Sequence, residues 1–184
     1  MSNYPFFTPE SDFKYKIEFG GATVLSYVGK ATELAVPPTL GGYPVKKVGD
    51  YAFSGQNITA VALPESVTEL GRMVFHNCAE LRGVTIPSGV SAIGDGAFMG
   101  CERLEEVKLP RELRVIEGNL FNGCVSLSRI TVPEKVTSII RYSFLGCVSL
   151  KEVYNQSPFI TLTKGAIDHG NIAKHAERVV NYHE

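Results

Sequence analysis

The chain has 184 residues, 44% apolar and 20% charged, with 18 basic against 19 acidic side chains and a formal net charge of −1. This composition can bury a core, and neither its hydropathy nor its charge suggests disorder. Near-zero charge and a pI near 6.4 argue against nucleic acid or an anionic membrane as the default partner, because both need a concentrated basic face. No apolar run approaches the ~20 residues that span a bilayer. Met1-Ser2-Asn3-Tyr4-Pro5-Phe6-Phe7 has neither the basic residues nor the apolar stretch of a secretory signal.

The first predicted element is a β-hairpin. Tyr15-Lys16-Ile17-Glu18-Phe19 and Thr23-Val24-Leu25-Ser26-Tyr27 flank Gly20-Gly21, which supplies the turn. A half-unit, Leu34-Ala35-Val36-Pro37, and the loop Gly41-Gly42-Tyr43-Pro44-Val45 follow. Residues 1–44 are therefore expected to form an N-terminal cap over an otherwise open stack.

From residue 45 the chain repeats itself. Phe75, Phe98, Phe121 and Phe144 stand 23 residues apart, as do Cys78, Cys101, Cys124 and Cys147, and Pro64, Pro87, Pro110 and Pro133. Leu81, Leu104, Leu127 and Leu150 keep the same interval, each followed three residues later by Val84, Val107, Ile130 or Val153. Counting a shorter first copy from Val45, with Gln56 at the cysteine position, and a last copy from Val136, about five copies fill residues 45–154.

Within a unit, Leu-x-x-Val-x-Leu-Pro alternates like a short strand with one buried face, and the proline ends it. Val-x-x-Ile-Gly turns two branched residues inward, and the glycine permits the bend that follows. No unit is long enough to hold an ordinary helix, so each coil can bury its apolar side only against the next. The prediction is a repeat solenoid, mainly β, wound right-handed around a parallel strand ladder that rises ~4.8 Å per coil.

After Asn155 the 23-residue period ends. Ile172, Ala173, Ala176, Val179 and Val180 form a helical stripe opposite Lys174, Glu177 and Arg178, which predicts a short amphipathic helix over about 170–181. Asp168 or Asn171 would be its N-cap. Residues 155–184 would then be a C-terminal cap or tail that closes the last coil or joins a neighbouring chain.

The residues that could carry chemistry read as structural. Four cysteines at one uniform interval imply a stacked internal thiol column; side chains in a parallel stack point the same way, which is poor disulfide geometry, and no Cys-x-x-Cys pair suggests zinc. His76, His169, His175 and His183 show no paired spacing. Gly-x-Ser-x-Gly, phosphate-loop and His-Glu-x-x-His patterns are absent from the sequence. Gly94-Asp95-Gly96 reads as a turn of the coil. Asn57-Ile58-Thr59 and Asn155-Gln156-Ser157 match the glycosylation sequon, a weak pattern. No catalytic residue, cofactor or metal is expected.

What remains is the outward face of the strands. Around the buried valine the outward pairs run Glu33 and Ala35, Ala60 and Ala62, Gly83 and Thr85, then Glu106 and Lys108, Arg129 and Thr131, Glu152 and Tyr154. The first half is small and nearly featureless. The second is charged and carries a tyrosine, so Glu106, Lys108, Arg129, Thr131, Glu152 and Tyr154 are the candidate partner-binding residues.

These repeats resemble the BspA-like leucine-rich-repeat family, the 23-residue class. Cys101, Leu104, Val107, Leu109, Pro110, Leu113 and Ile116 fit its pattern position by position, as do Cys78 through Ile93-Gly94 and Ala97-Phe98. Phe13-Lys14-Tyr15-Lys16-Ile17 and Tyr27-Val28-Gly29 fit its usual N-terminal cap. The turn glycine kept at Gly49, Gly71 and Gly94 becomes Glu117 and Ile140 in the later coils. The resemblance implies a curved, non-enzymatic interaction scaffold, often part of cell-surface or adhesion proteins, that binds a protein partner on a concave strand face. The alternative is a structural spacer or part of a larger surface protein, monomeric or weakly dimeric through the C-terminal helix. The absent signal and free cysteines favour the cytoplasm, while the resemblance favours the cell surface.

Overall fold

A computed structural model describes residues 7–182. Fourteen short strands wind through a stack of coils, and the described residues contain no α-helix. β1 (Phe13–Glu18) pairs antiparallel with β2 (Gly21–Tyr27) across a turn whose left-handed residues are Phe19 and Gly20, one position earlier than the sequence suggests. Apart from β4 (Thr39–Leu40), antiparallel to β5 (Tyr43–Val48), the remaining pairings are parallel, as a coil returning to the same side of the stack demands.

Three hydrogen-bonded walls enclose the core. The Val-x-x-Ile wall begins with β2, β5, β7 (Glu69–Leu70) and β9 (Ala92–Ile93), and resumes with β10 (Val115–Ile116) and β12 (Ser138–Ile139). The Leu-x-x-Val wall begins with β3 (Glu33–Ala35), β6 (Ala60–Ala62) and β8 (Gly83–Thr85), and resumes with β11 (Arg129–Val132) and β13 (Glu152–Asn155). The third wall is made of turns and does not break. The amides of Phe53, Phe75, Phe98, Phe121 and Phe144 each donate to a carbonyl of the following coil, at 2.7–3.0 Å.

Inside, one aromatic column runs the length of the stack: Phe13, Tyr27, Phe53, Phe75, Phe98, Phe121 and Phe144, with successive ring centroids 5.3–6.1 Å apart. Phe53, Phe75, Phe98 and Phe121 are wholly buried. The repeated leucines lie in the same core. The interior is therefore continuous even where the strand walls are interrupted.

The C-terminal segment departs from expectation. Where a helix over 170–181 was expected, the chain makes a 3-10 turn at His169–Asn171 and then β14 (Arg178–Asn181), which pairs parallel with β13. Gly170 and Asn171 take left-handed φ values of 68° and 70°, which a helix cannot hold, and Asp168 makes no side-chain cap. The physical reason is the unpaired edge of β13. Four residues of ladder satisfy that edge, whereas a helix of about three turns would leave it open and gain little by itself. Ile172, Ala173 and Ala176 still reach the core, so the apolar stripe marks an interior segment of a coil. The strand register gives this last coil 26 residues (Glu152 to Arg178), against 23 between β11 and β13.

Candidate interaction face

The thiol column is part of the structure's bonding. Cys78, Cys101, Cys124 and Cys147 are free and buried. Each S–H donates to the carbonyl of a phenylalanine in the preceding coil: Cys78 to Phe53 at 2.9 Å, then Cys101 to Phe75, Cys124 to Phe98 and Cys147 to Phe121 at 3.1 Å. Gln56, which stands at the cysteine position of the first copy, performs the same task, its Nε2 donating to the Tyr27 carbonyl at 3.3 Å. Composition alone reads these thiols as small apolar filler; the structure shows them as donors. Burial pushes the Cys78 thiol up to about 11 and the Cys147 thiol up to about 12. Cys101 and Cys124 are pushed up too, first by burial and then by charge on neighbouring thiols. Such thiols are poor nucleophiles and poor metal ligands at neutral pH.

The histidines do not assemble a site. His76 Nδ1 lies 3.3 Å from Ser54 Oγ, and the described residues contain no group of three metal-ligating side chains. His169 sits in the 3-10 turn, and His183 lies outside the described residues. Asn155 of the second sequon is buried, its Nδ2 donating to Ile160 O and Asn181 Oδ1; Asn57 is exposed.

Both strand walls break around the coil that contains Glu117. β9 does not pair with β10, and no strand forms at 106–108, so β8 has no partner beyond it. A glycine column lines the intact part of the Val-x-x-Ile wall. A Cβ at Gly71 would come within 2.6 Å of the Asp50 amide nitrogen, and one at Gly94 within 2.6 Å of the Arg72 nitrogen. The coils lie in close contact there, and the Gly94 amide reaches Leu70 O at 2.9 Å. Glu117 takes the equivalent position in the coil where the ladder is interrupted, but a Cβ alone does not open the wall, because Ile140 also carries one and its amide still reaches Ile116 O at 2.9 Å. The bend itself comes two residues later, at the left-handed Tyr51, Met73, Gly96, Asn119 and Tyr142, so the 49/71/94 glycines serve close approach more than turning. A cleft of about 560 Å³ lies at the break, between Asp50, Arg72, Asp95, Arg114 and Glu117.

The six residues singled out from the sequence occupy two adjacent rows on the Leu-x-x-Val wall. Arg129 is in register with Glu152, and Thr131 with Tyr154. Arg129 Nε lies 3.8 Å from Glu106 Oε2. Lys108 is exposed, on the segment that forms no strand. The sequence reading missed the extension of this face by β14, because it assigned that segment to a helix. β14 adds Arg178 in register with Glu152 and Val180 in register with Tyr154. The Arg178 guanidinium lies 5.7 Å from the Tyr154 ring centroid, and Tyr182 approaches Tyr154 at 6.5 Å. The signal for it was present: Arg178-Val179-Val180-Asn181 alternates like β13, but at an interval of 26 that a search for 23 passes over. Beside these rows a cleft of about 380 Å³ opens between Ser128, Arg129, Lys151, Glu152, Glu177 and Arg178.

The model of the BspA type leucine rich repeat region matches residues 45–173 in six copies. The chain belongs to the BspA-type leucine-rich-repeat family. The match runs past residue 154 into the longer last coil, and its six copies exceed the five counted at a strict 23-residue interval. A T. pallidum leucine rich repeat protein superimposes with a TM-score of 0.78 at 32% identity, over 80% of this chain and 71% of that one. A leucine-rich repeat protein from Bacteroides ovatus gives 0.73 at 32% identity, over 82% of this chain and 41% of that one. A leucine rich cell surface protein from Faecalibacterium prausnitzii gives 0.56 at 26% identity, over 86% and 56%. The BspA-type chain thus spans about 40–70% of the length of these neighbours. No curated protein matches it. Membership in this family suggests a protein-interaction scaffold.

Proposed function

We propose that this BspA-type chain is a non-enzymatic module that binds a protein partner across the Leu-x-x-Val wall of its later coils. One observation carries this reading: Glu106, Arg129, Glu152 and Arg178 follow one another along one row beside Tyr154 and Tyr182, whereas the same wall earlier presents Ala60, Ala62 and Gly83. Arg and Tyr dominate interface energetics out of proportion to their number. In this reading Glu106, Lys108, Arg129, Thr131, Glu152 and Tyr154 contact the partner, joined by Arg178, and residues 1–44 act as the N-terminal cap.

The test places a photo-crosslinking residue at Thr131, or at Thr85 on the featureless part of the wall, in cells of the source. Adducts with another protein are expected from position 131 and not from 85, and they should fall about tenfold in a variant with Arg129→Ala and Tyr154→Ala whose melting temperature is nearly unchanged. Equal adducts from both positions, or adducts untouched by the double substitution, would count against the reading.

A further inference from the structure

The charged row is complementary to itself. Arg129 sits beside Glu152, and Glu152 beside Arg178, in the register of parallel strands, while Glu106 approaches Arg129 on the other side. The row therefore reads minus, plus, minus, plus at one charge per coil. It spans roughly 14 Å at the ~4.8 Å spacing of strands. Only the Glu106–Arg129 contact is made as an ion pair within the chain. Among the described residues Glu152 forms no ion pair, and the guanidinium of Arg178 lies over the Tyr154 ring.

We infer that this face docks against a second copy of the chain, face to face with the coil order reversed. This rests on the reading of the same face as an interaction surface and names its partner. A two-fold axis in the interface plane, along the strand direction and midway between Arg129 and Glu152, sets Arg129 against Glu152 of the other copy and Glu106 against Arg178. All four opposed pairs are then of unlike charge. A copy docked with parallel coils in register would oppose Glu to Glu and Arg to Arg, which selects the reversed arrangement.

The neighbouring row fits the same operation. Thr131 meets Tyr154, and Lys108 meets Val180, so no like charges oppose there. On the other side Glu105 would meet Glu177, but each already has a cation in its own chain, Arg82 at 3.5 Å and Lys151 at 3.2 Å. Packed sheets lie ~10 Å apart, a distance that facing Arg and Glu side chains can bridge. The patch is small beside the ~800 Å² per partner of a standard interface, so the association is weak and strongly dependent on salt.

Sedimentation of the full chain tests this. A concentration-dependent dimer is expected at an ionic strength of about 0.01 M, where the screening length is roughly 30 Å, and should vanish near 1 M, where it is roughly 3 Å. Arg129→Glu and Glu152→Arg should each abolish the dimer, and the double charge swap should restore it, with melting temperatures showing that all three variants fold. A chain that stays monomeric at low salt, or single substitutions that leave the dimer intact, would overturn the inference. The crosslinking at position 131 separates the two readings. Adducts with a different protein from a chain that never dimerises overturn self-docking and leave the interaction module standing.

Discussion

The coils before residue 95 and those after residue 110 are lined by the same phenylalanines, cysteines and leucines, yet their backbones are joined differently. In the first group the Val-x-x-Ile wall is a continuous ladder from β2 to β9, with Gly49, Gly71 and Gly94 at its close backbone approaches. In the second, Glu117 and Ile140 occupy those contacts, the ladder restarts at β10, and the Leu-x-x-Val wall carries the charge. The aromatic column and the turn wall cross the discontinuity without interruption, with Phe98 and Phe121 stacked at 5.5 Å and the Phe98 amide bonded to Leu120 O at 3.0 Å. The comparison teaches that the interior holds this stack together, while the strand walls tolerate a missing rung.

The thiol column offers the largest effect with which to test that division. A thiol whose folded pKa is raised adds stability that is fully present below its unfolded value, near 9, and is lost as pH rises toward the folded value, about 11 for Cys78 and about 12 for Cys147. Each thiol then costs ~1.4 kcal/mol per pH unit in that window, and four together cost on the order of 5 kcal/mol between pH 9 and pH 10. Chemical denaturation across this range should show the fall, and a variant with all four cysteines replaced by serine should show much less of it. An equal fall in both would mean that the thiols are not part of the shared interior.

Next in size is the aromatic column. Phe98→Ala empties a buried layer beside the discontinuity and should cost ~3–5 kcal/mol in denaturant unfolding. If the interior couples the two groups of coils, emptying that layer should split the unfolding into two transitions; a single transition with a loss below about 1 kcal/mol would contradict that role.

Smaller is the effect of restoring or removing a wall contact. Gly94→Ala drives a Cβ to 2.6 Å from the Arg72 nitrogen and should cost ~1–3 kcal/mol by overpacking. Hydrogen exchange gives the complementary measurement in the unaltered chain. The Glu117 amide, across the break, should exchange faster than those of Gly71 and Gly94, whose bonds to Val48 O and Leu70 O are 2.8 and 2.9 Å. Slow exchange at Glu117 would show that the wall is closed there after all.

Much of this was legible in the residues. Phe75 to Phe144 and Cys78 to Cys147 repeat at one interval because each coil must bury its apolar side against the next, so the interval is the coil. The candidate face was legible for the same reason, since Arg129, Glu152 and Tyr154 alternate with Ile130 and Val153, which must point inward. Arg178 was not. The apolar positions of residues 170–181 suit a helix face and a strand inside a longer coil alike, and a local pattern cannot distinguish them.

The amino-acid sequence by itself thus determined the winding of the chain, its columns of buried side chains and the family to which it belongs, because a strict period is a local property repeated. The tertiary structure alone decided the rest. The fate of the last segment depended on the unsatisfied edge of β13, the break in the walls on how closely two backbones approach at Gly94 and Glu117, and the donor role of the thiols on which carbonyl lay within reach. Each of these is a relation between residues 22–26 positions apart, and it exists only once the coils are stacked.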